Sequence, residues 1–121
     1  MDIHPYLEIW RNLEPALCEK IHNDIWQFTF KDNMVIRCDV VSFHGTGIIE
    51  DLISETIGDR EGWSYSLTFD RASESFSAAV TIAEGKTYDG LVSLNPGISL
   101  LSAYLRALKG HNLLSILNPA Y

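Results

Sequence analysis

Trp63-Ser64-Tyr65-Ser66-Leu67-Thr68-Phe69 alternates large apolar and small hydroxyl residues without a slip, the period of a β-strand with one dry face and one wet face. We read this strand as the centre of the fold, so the other segments must cover Trp63, Tyr65, Leu67 and Phe69 or pair with their backbone. Immediately after it, Asp70 to Glu74 is a polar turn. Phe76, Ala78, Val80 and Ile82 then alternate again and supply a hairpin partner. Glu84-Gly85-Lys86 turns the chain once more, Thr87 to Leu94 reads as a weaker strand interrupted by Gly90, and Asn95-Pro96-Gly97 closes it.

The remaining segments read as helices and a second pair of strands. Leu100, Leu101, Tyr104, Leu105 and Leu108 share one helical face, with Ser99, Ser102, Arg106 and Lys109 opposite and Gly110 where a C-terminal cap belongs. Leu113 to Leu117 reads as a further helical turn on the core. Near the other terminus, Pro5 suits a first helical position because its missing amide would have no partner there. Tyr6, Ile9, Trp10, Leu13, Leu17 and Ile21 fall on one side of a helical wheel, predicting one helix bent at Pro15, or two short helices in line, ended by Asn23-Asp24. Ile25 to Phe30 is the next strand, with Trp26, Phe28 and Phe30 on one face. Lys31-Asp32-Asn33 turns it into a strand from Met34 to Phe43, with Met34, Ile36, Cys38 and Val40 on one side. His44-Gly45-Thr46-Gly47 breaks this run, and Ile48, Ile49, Leu52, Ile53 and Ile57 recur at helical spacing up to Gly58. The order α-β-β-α-β-β-β-α predicts an α+β fold, residues 1–121 forming a single domain in which an antiparallel sheet of about five strands packs against helices.

The 121 residues carry 9 basic and 16 acidic side chains, a formal charge of −7. Such a chain repels nucleic-acid phosphate and anionic membranes and attracts a basic protein. No basic stretch followed by an apolar core opens the sequence, and no apolar run has the length of a membrane span. Cys18 and Cys38 lack a partner motif and read as buried thiols of a reducing compartment, so a cytoplasmic location is expected.

Motifs for chemistry are absent. His4, His22, His44 and His111 lack the i, i+4 spacing of metal ligands, and neither cysteine belongs to a Cys-x-x-Cys pair. No Gly-x-Ser-x-Gly elbow occurs. His44-Gly45-Thr46-Gly47 before a helix has the look of an anion-binding turn, yet Glu50 and Asp51 in the expected first turn would repel phosphate. The aromatic residues fall at strand and helix periodicity, as core packing requires. No cofactor, metal or catalytic residue is expected, and the protein reads as a non-enzyme.

Acidity with a location remains. Glu50, Asp51, Glu55, Asp59 and Glu61 lie in a short window opposed only by Arg60, and Asp70 and Glu74 extend it into the following turn. As a docking face for a basic protein, this window points to a bacterial immunity protein, the antidote to a toxin such as a nuclease, acting as a monomer or homodimer. A dimeric acidic secretion chaperone holding an effector segment along a sheet edge is the alternative. A ligand-binding or hydrolytic α+β domain using His44 is a third reading.

Overall fold

The computed structural model describes residues 2–117, with side chains through Asn112. The C-terminal Asn118-Pro119-Ala120-Tyr121, which resembles a short sorting motif, and the packing expected of the Leu113 to Leu117 side chains lie outside the described residues. In chain order the elements are α1 (His4–Leu13), β1 (Cys18–His22), β2 (Ile25–Thr29), β3 (Val35–Asp39), α2 (Phe43–Gly58), β4 (Ser64–Asp70), β5 (Ser75–Thr81), β6 (Thr87–Asp89) and α3 (Pro96–Leu117). The class is α+β, but the single sheet of about five strands is replaced by two three-stranded antiparallel sheets, ordered β1-β2-β3 and β4-β5-β6.

The additional strand comes from residues expected to continue the first helix. Pro15 pushes the residue before it out of the helical region, and Glu14 accordingly sits at φ −137°, ψ 68°. The chain turns and re-enters as β1, with the amide of Thr29 donating to the carbonyl of Leu17 at 2.9 Å. Leu17 and Ile21 are four residues apart, an interval that puts both on one face of a helix and also on one face of a strand. Periodicity alone therefore could not place Cys18, which lies on β1 opposite Phe28.

Strand β4 is an edge, not the centre. It pairs only with β5, in unbroken register from Ser64 opposite Thr81 to Asp70 opposite Ser75. The middle strand is β5, whose Ala78 and Val80 are buried. Tyr65, Leu67 and Phe69 do face inward, across from Val80, Ala78 and Phe76. Edge position leaves them partly uncovered, however, and Phe69 keeps 51% of its surface exposed.

Helix α2 begins a full turn earlier than the glycines suggest. Ser42 caps it, its Oγ accepting the Gly45 amide at 2.9 Å. His44-Gly45-Thr46-Gly47 is thus helical, and Glu50 and Asp51 lie beyond the first turn. Gly45 is required by packing, since a β-carbon there would collide with the carbonyl of Asp39.

Helix α3 also departs from its amphipathic pattern. It packs on β5 and α2 and also meets β6, α1 and β4, so both of its sides are buried from Ile98 to Leu105. Ser99 and Ser102, expected on a wet face, are buried and hydrogen-bonded: Ser99 Oγ donates to the Phe76 carbonyl at 3.0 Å, and Ser102 Oγ donates to the Ser99 carbonyl at 2.9 Å. Ser102 Oγ also accepts the Leu91 amide at 2.8 Å. Gly110 is not a cap, because α3 runs on to Leu117. It is the gap into which Tyr88 fits, and a β-carbon at 110 would overlap the tyrosine ring and hydroxyl. Trp10, Trp26, Phe28 and Tyr104 are the largest fully buried side chains.

Candidate functional site

The seven acidic positions are distributed over α2, the connection after it and the turn that follows β4. Glu50, Asp51 and Glu55 lie on α2, Asp59 is its C-cap, and Glu61 sits in the connection to β4. Asp70 and Glu74 flank the turn at the far end of β4, a seven-residue strand about 20 Å long from the rise per residue. Asp59 is neutralised by Lys31, whose Nζ lies 2.7 Å from its Oδ1. That hydrogen bond and the carboxylate charge hold the Lys31 pKa above its ordinary value. Asp70 serves the turn, accepting the Ala72 amide at 3.1 Å and the Ser73 hydroxyl at 2.9 Å. Glu74 adopts the left-handed conformation that the turn requires, at φ 51°.

Glu50, Asp51, Glu55 and Glu61 are left, and none makes an ion pair among the described residues. Asp51 is exposed and Glu55 half-buried, while Ile49, Ile53 and Ile57 on the other side of α2 are buried. Glu50 is half-buried, and that burial, reinforced by the neighbouring Asp51 charge, raises its carboxyl pKa above the usual range. The Ser54 hydroxyl donates to the Tyr65 hydroxyl at 2.7 Å, which fixes this flank of α2 beside β4. Glu50 and Asp51 precede Ser54 by one helical turn and so share its side of the helix.

Beside this flank is the longest free strand edge among the described residues. Among the described residues, no backbone group outside the β4–β5 ladder bonds to Ser64–Asp70. The other edges are shorter or protected by the usual devices of charge and bulge. Strand β1 carries Glu19 and Lys20 and a register shift, β3 carries Arg37 and Asp39, and β6 has three residues. Strand β4 has no bulge, no proline and no charge before its last residue. Its inward Tyr65 is 42% exposed, and Phe69 packs on Phe76 in a tilted arrangement with ring centroids 4.9 Å apart.

A second polar assembly, invisible in the sequence reading, is centred on Glu14. Its Oε1 accepts the Trp10 indole N–H at 3.0 Å and the Tyr104 hydroxyl at 2.7 Å, and its Oε2 accepts from Arg60 at 3.2 Å. Arg60 in turn lies 4.6 Å from the centroid of the Trp63 ring. Burial, then the bond to Glu14, raises the Tyr104 pKa. Surface grooves among the described residues, one lined by Val92 to Asn95 and Ile98, one by Tyr6, Ile9, Leu91 and residues of α3, and one by residues of β4 and β5, include none of these residues. With every carboxylate oxygen occupied, the assembly braces α1, α3 and the α2–β4 connection and offers no reacting group. The i, i+4 spacing of Trp10 and Glu14 was the available signal for it.

The histidines are dispersed. His4 meets Asp24 at 2.8 Å, His22 meets Asn23 at 3.2 Å, His44 is exposed in the first turn of α2, and His111 lies 3.5 Å from Glu84 beneath Trp63. Among the described residues no group of three or more His, Cys, Asp or Glu is placed to hold a metal ion, and no helix is long and apolar enough to cross a membrane. Comparison of the chain with protein-family models, with curated proteins and with solved structures gave no match.

Proposed function

We propose that this protein is a non-enzymatic binder of a basic protein, serving as an immunity protein that neutralises a toxin such as a nuclease in a bacterial cytoplasm. The observation that carries this reading is the set Glu50, Asp51, Glu55 and Glu61, four carboxylates in and just after α2 with no cation paired to them among the described residues. Carboxylates left unpaired on a surface raise the rate of encounter with a cationic partner and fix its register. Asp59 and Asp70 contribute less, since one is held by Lys31 and the other by its own turn. A cationic nuclease is a fitting partner because a surface that attracts phosphate is the one that an acidic face covers.

The test is charge reversal. Glu50, Asp51, Glu55 and Glu61 are changed together to lysine, the partner captured from native lysate by the wild type is purified, and association rates are measured at two salt concentrations. The reversed variant associates at least tenfold more slowly at low salt, and the difference narrows at high salt. Equal rates at low salt would remove the proposal. The alternative reading, a dimeric secretion chaperone, is favoured by the free β4 edge. Native mass separates the two, since a monomer that binds its partner one to one excludes the chaperone.

A further inference from the structure

We infer that β4 is the docking strand, and that it takes an extended segment of a basic partner whose lysine or arginine residues alternate with small or β-branched ones. This rests on the proposal above that the partner is basic, and it adds where and in what conformation that partner binds. Ser64–Asp70 presents, on its side away from β5, the amides and carbonyls of alternate residues with no backbone partner among the described residues. A chain laid about 4.8 Å beyond β4 would pair with them and become a fourth strand.

The two faces of the sheet dictate what such a chain carries. On the outer face its neighbours are Ser64, Ser66 and Thr68, all exposed and small, so threonine, serine or valine fits there. On the inner face its neighbours are Tyr65, Leu67 and Phe69, and beyond them the flank of α2 carrying Ser54, Glu50 and Asp51. A lysine or arginine at these positions lays its aliphatic stem over the half-exposed rings of Tyr65 and Phe69 and brings its charge towards the carboxylates of α2. An apolar side chain would leave those carboxylates unpaired, and an acidic one would be repelled. An alternating basic strand therefore satisfies backbone, ring and carboxylate together.

The test uses the peptide acetyl-Lys-Thr-Lys-Val-Lys-Thr-Lys-amide with the intact chain, its acidic counterpart with glutamate for each lysine, and two backbone N-methylated forms, one methylated at the odd positions and one at the even. In a paired strand only alternate amides face the neighbour. One methylated peptide therefore binds like the parent and the other at least tenfold more weakly. Amide exchange slows at alternate residues of Ser64–Asp70 when the parent binds. If both methylated peptides bind as well as the parent, strand pairing is wrong although the partner is basic. If the basic and acidic peptides bind equally, the basic-partner reading fails and this inference with it; if neither binds, β4 is not the docking strand. Protection outside β4 alone would also overturn it.

Discussion

The hydroxyl of Tyr104 donates a 2.7 Å hydrogen bond to Glu14, 90 residues away in the sequence. With the Trp10 indole and the Arg60 guanidinium on the same carboxylate, the bond locks the end of α1 to the middle of α3. Tyr104→Phe removes one donor and leaves Glu14 two others, at an expected cost of about 1 to 2 kcal/mol. Glu14→Leu strands Trp10, Tyr104 and Arg60 together and costs more, roughly 2 to 4 kcal/mol. Urea denaturation of both variants checks this, and a milder effect for Glu14→Leu would mean the three donors find other partners.

The edge position of β4 separates Leu67 from Ile82, which follows β5, two apolar residues that alternation along the hairpin would rank equal. Leu67 is half-buried, so Leu67→Ala loses about 1 to 2 kcal/mol, whereas Ile82, at 1% exposure, loses about 2 to 5 kcal/mol on change to alanine. Chemical denaturation of the pair gives the order directly. A larger loss at Leu67 would put β4 in the interior.

Gly110→Ala would stabilise an ordinary exposed helix by close to 1 kcal/mol. Here the added methyl meets Tyr88, so a loss of about 1 to 3 kcal/mol is expected. The sign reverses when Tyr88 is first cut to alanine, because the collision is gone and only the helical preference remains. Thermal unfolding of the two single variants and the double variant completes the cycle.

Burial pushes the Cys18 thiol up from 9.0 to about 12, with the charge of Glu14 adding to the effect. The folded state therefore holds this proton more tightly than the unfolded chain does. Its contribution to stability is fully present below about pH 9 and is lost as pH rises towards 12. Tyr104, also raised, adds to the same alkaline decline. Stability measured from pH 8 to 11 should fall, and fall less steeply in Cys18→Ala.

Cys18 on β1 and Cys38 on β3 are separated by β2 and offset along it, Cys18 lying opposite Phe28 and Cys38 opposite Trp26, so two strand spacings set a minimum of about 9 to 10 Å between them, too far for a disulfide. In the native protein Cys38, half-buried, should react with a thiol reagent before Cys18, and after unfolding without reductant both should react. A Cys18–Cys38 bond in protein isolated under thiol-blocking conditions would contradict this sheet.

Which residues face inward was largely readable from the chain. Alternation placed Trp26 and Phe28, and Ala78 and Val80, on dry faces, and helical spacing found Ile49, Leu52, Ile53 and Ile57. Lateral position is not readable, because a strand with one dry face alternates identically at the edge and in the middle of a sheet, so alternation alone points to β4 as the centre. The split into two sheets turned on Pro15 and on the four-residue spacing of Leu17 and Ile21, which suits either kind of element. Ser99 and Ser102 misled for a different reason: a buried serine that returns its hydroxyl to a nearby carbonyl looks, in sequence, like a wet one. Of the acidic window, only the environment distinguishes Asp59, held by Lys31, from Asp51, and Lys31 is 28 positions from Asp59.

Each sheet is a meander assembled from neighbouring residues, the first closing by Asp39 and the second by Asp89, while the helix that packs most closely on the second is made after both. During synthesis on the ribosome, chain elongation is slow beside hairpin formation. Both meanders thus have time to form while the apolar side of β5 still lacks its cover. In that interval the nascent chain exposes Val80 and Ile82 to other chains, and it is then, before Leu100, Leu101 and Tyr104 arrive, that a chaperone or a slowed ribosome would change the yield of folded protein.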